Sequence, residues 1–419
     1  MKTKIKDEIL NKEYTIYTHS SGLKVYMFKT PGFSTFHATF GTNYGSIDNE
    51  YIYNGEKITV PAGIAHFLEH KMFECSDGDA FMKFAATGAY SNAYTSFDKT
   101  CYIFSCTNNF YENLKILLSF VSEPYFTNES VAKEQGIIGQ EITMYDDMPS
   151  WRVFHNLLVA LYKNHPINID IPGTKETIAK ITPELLYSLY NTFYTPSNMF
   201  LALSGDFCED KVIEIVDSII EKDEKPKGEA IFKEEELFAV QGEITQIMQV
   251  AKPLYAYGFK LMPNPSLKDV LSIELLIKVL IGDASPLYKK LMDSELIDDD
   301  FGGELMYGRG FSTIIFEGAC ETPKKVIDEI LNEIEKIKQN GIDEKLFNAV
   351  KKNAIGAMLR QFNSPESING MLNELALKNE DPFEALRVLK EITADDLFNK
   401  LEVFKQENSA LSIIKSEEQ

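Results

Sequence analysis

The alternation of hydrophobic and polar positions predicts both strands and helices in each half of the chain. Residues 36–46 and 100–106 alternate with the period of two that is typical of β-strands. Residues 111–123 and 323–341 repeat their apolar side chains at helical spacing, and Gly341 provides a C-terminal cap. Because predicted strands cluster before long helices, the pattern favours an α+β fold over a doubly wound parallel sheet.

Two segments of the first half recur in the second half. Residues 181–206 resemble residues 392–417, at an offset of 211. Residues 126–141 resemble residues 341–356, at an offset of 215. Two similar offsets in the same order indicate a duplicated domain.

A stretch rich in charge, Pro and Gly separates the two halves. It covers residues 222–236 and interrupts the apolar periodicity on either side. We therefore predict an N-terminal αβ domain over residues 1–221, a linker over 222–236 and a homologous C-terminal αβ domain over 237–419.

Composition and charge exclude several classes of protein. The chain has 419 residues, 44% of them hydrophobic, which suffices for large cores and excludes a disordered protein. Its 63 acidic and 42 basic residues give a net charge of −21, which disfavours nucleic acid and anionic membranes as partners. The sequence shows no targeting segment, no membrane-spanning run and no CxxC pair among its five cysteines. We predict a cytoplasmic protein with reduced thiols.

The segment VPAGIAHFLEHKMFECSDG carries the arrangement H-x-x-E-H at His66, Glu69 and His70. On a helix, His66 and His70 lie four residues apart on one face, so that two imidazoles can share a metal ion. The alternative is that two histidines share a half-buried helix face by chance. A hydrolytic zinc site needs a third protein ligand and one open position.

A pair of acidic residues downstream offers that third ligand. Glu134 and Glu141 lie seven residues apart, about two helical turns, and therefore face the same way. On spacing alone a solvated helix face is the favoured explanation for this pair. The matching positions of the second half are Ala349 and Gly356, so the acids occur only in the first half.

Together these motifs resemble the pitrilysin/insulinase family of zinc metallopeptidases, and within it the processing-protease-like branch of Gram-positive bacteria. The resemblance covers nearly the whole chain and rests on HFLEH, EQGIIGQE, SNAYTSFDKTCY and YNTFYTPSNMFLALSGD. It implies two homologous domains that form a clamshell, with Zn²⁺ as the cofactor of the N-terminal domain. It implies further that His66, His70 and Glu141 bind the zinc, that Glu69 is the general base, and that Glu134 orients a ligand histidine.

The resemblance also implies a strand that binds the substrate. In the family an Asn-Ala-x-Thr segment holds the peptide backbone as an added strand, and here it corresponds to Ser91, Asn92, Ala93 and Tyr94. As a bare sequence feature, NAYT indicates only a turn followed by a strand.

One departure from the family concerns the second domain. Active members present an Arg and then a Tyr to the substrate near the zinc, whereas the matching positions here read Met292 and Asp298. An ionised Asp cannot donate a hydrogen bond to a developing oxyanion. We therefore predict a homodimer or heterodimer with a homologous chain that supplies Arg and Tyr.

The resulting functional prediction is a zinc-dependent endopeptidase that hydrolyses short or unstructured peptides. The alternative is a non-catalytic peptide-binding or scaffold subunit of a heterodimeric processing protease. A closed structural zinc site is disfavoured, because no Cys or His at suitable spacing offers a fourth ligand.

Overall fold

The computed structural model describes residues 1–222 and 225–417. Asp223 and Glu224, which belong to the predicted linker, lie outside the described residues. Within the described part, the chain forms two compact units of three segments each. Unit 1 contains Met1–Ile142, Ile169–Ile231 and Arg360–Phe383, and unit 2 contains Thr143–Asn168, Phe232–Leu359 and the chain from Glu384 onward.

The strands of the described residues are β1 (Lys2–Asp7), β2 (Lys12–Thr18), β3 (Lys24–Lys29), β4 (Phe36–Thr42), β5 (Glu50–Tyr53), β6 (Glu56–Thr59), β7 (Glu74–Cys75), β8 (Gly78–Asp79), β9 (Tyr90–Thr95), β10 (Thr100–Cys106), β11 (Met199–Gly205), β12 (Glu229–Ala230), β13 (Glu243–Ile247), β14 (Leu254–Lys260), β15 (Gly302–Gly308), β16 (Phe311–Ala319) and β17 (Ser409–Lys415).

The α-helices of the same residues are α1 (Ile64–Met72), α2 (Ala80–Thr87), α3 (Phe110–Ser122), α4 (Asn128–Asp146), α5 (Pro149–Leu161), α6 (Lys175–Ile178), α7 (Pro183–Phe193), α8 (Glu209–Ile219), α9 (Leu267–Ile281), α10 (Pro286–Asp293), α11 (Pro323–Asn340), α12 (Glu344–Gln361), α13 (Pro365–Lys378), α14 (Pro382–Glu391) and α15 (Ala394–Phe398). The predicted strands at β4 and β10 and the predicted helices at α3 and α11 are confirmed. Within residues 1–222 and 225–417, every helix is too short or too polar to span a lipid bilayer.

Unit 1 is built on a seven-stranded sheet with the order β1-β2-β3-β11-β4-β10-β9. Its central strand β11 is parallel to β3, antiparallel to β4 and buried along its whole length. Leu201 and Leu203 join a core on one face of the sheet, and Phe200 and Ala202 join a second core on the other face. The continuous apolar run of β11 therefore reflects a strand covered on both faces.

Unit 2 repeats this topology in a five-stranded sheet with the order β13-β17-β14-β16-β15. Its strand β17 is parallel to β13 and antiparallel to β14, as β11 is to β3 and β4. Each of the strands β11 and β17 follows a short helix, α7 or α15, in the segments that resemble each other in sequence. The chain therefore contains two homologous α+β domains, as the sequence predicts.

The compact units differ from the predicted contiguous domains in two helices. α13, from the second half of the chain, belongs to unit 1 and packs on β3, β4 and β11. α5, from the first half, belongs to unit 2 and packs on β14 and β17. Gly258 allows the close approach of α5, because a Cβ at this position would lie 2.9 Å from Leu157 Cδ2. Each sheet thus buries its second face under a helix that the other half of the sequence encodes.

The predicted linker is ordered where the structure describes it. Glu229–Ala230 pairs with β5 in unit 1, and the change from unit 1 to unit 2 falls between Ile231 and Phe232. In unit 2 the Glu235 carboxylate accepts hydrogen bonds from three successive backbone N–H groups, those of Lys163 (3.0 Å), Asn164 (2.6 Å) and His165 (2.8 Å). It also forms an ion pair of 3.0 Å with Lys260, whose side chain is buried.

Glu235→Ala is expected to lower the free energy of unfolding by about 3 kcal/mol, because it leaves the buried charge of Lys260 without this carboxylate. Burial raises the pKa of Glu235, but the three N–H groups and Lys260 outweigh it and hold the pKa below its ordinary value. The stabilisation is therefore present above the ordinary carboxyl range and is lost as the pH falls through the lowered pKa. Chemical unfolding at neutral and acidic pH measures this, with the exposed neighbour Glu236→Ala as the control. Equal losses in both variants would contradict the prediction.

Candidate metal centre

Helix α1 presents the three residues of the H-x-x-E-H motif. The helix begins after Gly63, whose φ of +88° and whose approach to Pro172 require glycine, because a Cβ would lie 2.2 Å from the Pro172 carbonyl oxygen. Phe67 and Leu68 face the core of unit 1 and fix the rotation of the helix. His66 and Glu69 are buried, and the side chain of His70 is 27% exposed.

Helix α4 brings Glu141 to the two histidines. His66 Nε2 lies 3.5 Å from Glu141 Oε1, and His70 Nε2 lies 3.6 Å from Glu141 Oε2. The ligand atoms of the three residues all lie within 4.8 Å of one another. Ligands of a tetrahedral zinc ion with bonds of about 2.1 Å are separated by about 3.4 Å, so this donor set fits Zn²⁺ in kind and in spacing. Among the described residues, no other His, Cys, Asp and Glu side chains form such a group of three.

Glu134 lies beside His70 rather than among the three donor atoms. His70 Nδ1 and Glu134 Oε1 are 3.0 Å apart, so Nδ1–H donates to the carboxylate and Nε2 is left for a metal. Burial lowers the pKa of His70, but the bond to Glu134 and the charges of Glu69 and Glu141 outweigh it and raise the pKa. Burial likewise raises the pKa of Glu134, and the bond to His70 overcomes this and lowers it.

The buried Lys71 extends this arrangement and was not anticipated from the sequence. Its Nζ forms an ion pair with Glu74 and lies 3.9 Å from Glu134 Oε2. Its side chain is only 2% exposed, although it occupies a helix position next to a motif histidine. The sequence signal that could have identified it is the position of the lysine in HFLEHKMF, directly before the apolar residues Met72 and Phe73.

The carboxylate of Glu69 forms its hydrogen bond with Thr95 rather than with the histidines. Thr95 Oγ1 donates a hydrogen bond of 2.6 Å to Glu69 Oε2. Burial raises the pKa of Glu69, and the charges of His66 and His70 and the Thr95 bond oppose that rise. The net result is a Glu69 pKa above its ordinary value, with one of the carboxylate oxygens held by Thr95.

Comparison with known proteins identifies the family. The family model described as "Insulinase (Peptidase family M16)" matches residues 59–175. The family model described as "Peptidase M16 inactive domain" matches residues 180–354. A protein of Bacillus subtilis (strain 168), named as the uncharacterized zinc protease YmfH, is 40% identical over 398 residues, which cover 91% of this chain and 92% of that protein. The chain belongs to peptidase family M16.

Two further matches are a solved M16-like structure and a fungal protein. The crystal structure of an M16-like peptidase from Alicyclobacillus acidocaldarius matches with a TM-score of 0.93 and 30% identity, covering 98% of this chain and 99% of that one. A Schizosaccharomyces pombe protein named as a mitochondrial-processing peptidase subunit beta is 28% identical over 160 residues, 37% of this chain and 35% of that protein.

The predicted peptide-binding residues of this M16 chain lie on an edge strand. Ser91, Asn92, Ala93 and Tyr94 belong to β9, which ends the sheet of unit 1 and packs against α1. Asn92 Oδ1 accepts the N–H of Ala93 at 2.9 Å, and Asn92 Nδ2 donates to Tyr90 Oη at 3.2 Å. The strand alternates exposed and half-buried residues, as an edge strand with one packed face does.

The positions predicted to correspond to the family's Arg and Tyr lie in unit 2. Met292 is on α10, and Asp298 is in the loop before β15, where its carboxylate is 3.7 Å from Lys252 Nζ. Neither side chain carries the hydrogen-bond donors of Arg or Tyr.

Proposed function

We propose that this M16 peptidase is a zinc-dependent endopeptidase that hydrolyses short or unstructured peptides. The observation that carries the proposal is the convergence of His66, His70 and Glu141, with Glu69 on the same helix as both histidines. Two neutral imidazoles and one carboxylate match the His₂Glu set of hydrolytic zinc sites. When bound there, zinc supplies a Lewis acid for the peptide carbonyl and lowers the pKa of water.

The side chains then have separate tasks. Glu69 accepts a proton from the attacking water and returns it to the nitrogen of the leaving amine as the C–N bond breaks. Glu134 holds His70 through Nδ1 so that Nε2 keeps its direction. The bond to His70 lowers the pKa of Glu134, which keeps the acceptor of that bond ionised.

The substrate binds as an extended strand along β9. Strand addition uses the peptide backbone and makes little demand on sequence, but it requires a segment free of its own structure. Ser91, Asn92, Ala93 and Tyr94 supply the receiving edge, and Asn92 supplies an amide beside it. Folded proteins are therefore poor substrates.

A homologous partner chain supplies the missing Arg and Tyr in a homodimer or heterodimer. The support is the pair Met292 and Asp298, together with the S. pombe relative, whose name calls it a subunit. Localisation in the cytoplasm is part of the proposal, supported by the five free cysteines, because disulfides are rare in reducing compartments. The competing function, a non-catalytic peptide-binding subunit, is favoured by the same pair of residues.

Incubation of the purified chain with a library of unstructured peptides, read by mass spectrometry, tests the proposal. We expect cleavage that a chelator abolishes and that zinc restores. Cleavage that persists in chelator would contradict the metal mechanism. If the zinc-loaded chain cleaves nothing alone or with a homologous partner from the same organism, the non-catalytic alternative replaces the proposal.

A further inference from the structure

Thr95 links the candidate base to the candidate peptide-binding strand. It is the last residue of β9, directly after the segment Ser91–Tyr94, and its hydroxyl donates to Glu69 Oε2 at 2.6 Å. Glu69 is 8% exposed, so water has little access to replace this bond. A bond of this length to a carboxylate belongs to the stronger class of hydrogen bonds.

The direction of this hydrogen bond follows from the carboxylate of Glu69, and the neighbouring hydroxyl does not change it. Thr100, opposite Thr95 on β10, is fully buried and donates its proton to the Tyr44 carbonyl oxygen at 2.9 Å. Its Oγ1 lies 3.4 Å from Thr95 Oγ1 and has no proton left to donate there, and the single proton of Thr95 goes to the nearer, charged acceptor, Glu69 Oε2 at 2.6 Å. An ionised Glu69 has no proton to donate. Thr95 is therefore the donor, and one oxygen of Glu69 is held while the other is left for chemistry.

The strand itself is a firm support. β10 pairs with β9 on one side and with β4 on the other, and Thr100 is in register with both Thr95 and Thr42. Ser91, Ala93 and Thr95 share one face of β9 because side chains alternate along a strand. Ala93 on this face packs against the core that includes Phe67 and Leu68 of α1. The Thr95 hydroxyl is thus fixed relative to α1 by the sheet.

We propose that Thr95 is a positioning residue that holds the general base Glu69 in register with the peptide bound along β9. The same strand then fixes the backbone of the substrate and the carboxylate that takes the proton. This inference rests on the proposed function, in which Glu69 is the base and β9 binds the peptide. A displacement of a catalytic group by about 1 Å can cost about 100-fold in rate, so the loss of one such bond is measurable.

Replacement of Thr95 by its isostere tests the positioning role. Thr95→Val removes the hydroxyl and keeps the shape, Thr95→Ser keeps the hydroxyl, and Thr107→Val, in the exposed turn after β10, is the control. On an unstructured reporter peptide we expect Thr95→Val to lower kcat by about 10- to 100-fold with KM within about twofold and zinc still bound. Thr95→Ser and Thr107→Val are expected to retain kcat within about threefold of the wild type, since neither loses the Glu69 bond.

Two results would overturn the role of Thr95. An unchanged kcat in Thr95→Val shows that Glu69 is held without it, and an equal defect in Thr95→Ser shows that the hydroxyl is not the group that matters. Crystal structures of the wild type and Thr95→Val give a second readout, in which the Glu69 carboxylate should turn only in the variant. If the zinc-loaded wild type is inactive both alone and with a homologous partner from the same organism, the proposed function fails, and the crystal structures still decide whether Thr95 positions Glu69.

Discussion

Glu69→Gln is expected to abolish detectable peptide cleavage while the protein still binds one zinc ion. The amide has nearly the shape of the carboxylate but cannot accept a proton from water, and loss of a general base typically costs about 10²- to 10⁴-fold in rate. The three donor residues are untouched, so metal content should not change. Turnover of a reporter peptide and metal analysis of the same samples measure the two quantities.

The control for this variant is Glu129→Gln, at an exposed position in the first turn of α4. It removes one carboxylate from unit 1 without touching the candidate centre, and full activity is expected. An active Glu69→Gln enzyme would remove Glu69 from the mechanism. Loss of zinc together with activity would mean that the carboxylate holds the metal.

Glu141→Gln is expected to lose both zinc and cleavage. Glu141 provides both oxygens that face His66 Nε2 and His70 Nε2, and a neutral amide oxygen is a poor substitute for a carboxylate at a zinc ion. Glu134→Gln is the comparison with a smaller expected effect, because Glu134 contacts Nδ1 of His70 rather than the Nε2 that faces Glu141. Loss of such an outer partner typically weakens metal binding by about 10- to 100-fold, and Glu141→Gln should exceed that.

Zinc titration against a competing chelator measures the zinc affinity of each variant and so distinguishes the roles of Glu141 and Glu134. Equal affinities in the wild type and Glu141→Gln would exclude Glu141 as a ligand. A larger defect in Glu134→Gln than in Glu141→Gln would exchange the two roles.

The local part of the candidate centre could be predicted from the sequence, because one helix carries it. His66, Glu69 and His70 lie within five consecutive residues, and helical geometry alone places the two imidazoles on one face. Glu141 is different, since its spacing from Glu134 predicts a shared helix face but not what that face contacts. Only the packing of α4 in unit 1 brings the carboxylate to the histidines.

Thr95 shows where residue patterns stop being informative. The predicted peptide-binding segment covers Ser91–Tyr94, and nothing in NAYT distinguishes a threonine that bonds a carboxylate from an ordinary strand residue. The bond joins residues 26 positions apart and depends on the placement of α1 against β9. Lys71 was missed for a related reason, since a lysine on a helix is normally exposed.

The fold class and the repeat were predictable, because apolar periodicity and self-similarity are properties of the sequence. The sequence did not predict that α5, from the first half, packs in unit 2 or that α13, from the second half, packs in unit 1. An amphipathic pattern shows that a helix buries one face, but it does not show which sheet covers that face. The predicted boundary divides the sequence at a single place, near residues 222–236. Each compact unit instead combines segments from both halves of the sequence that pack together.

The place of α13 has a consequence for synthesis on the ribosome. The sheet that supports the candidate metal centre has all of its strands within the first 205 residues, but the helix that covers Phe200 and Ala202 comes only from residues 365–378. A nascent chain that has produced every candidate zinc ligand and every strand of this sheet therefore still exposes an apolar sheet face to water. Completion of the candidate catalytic unit is tied to the translation of most of the protein.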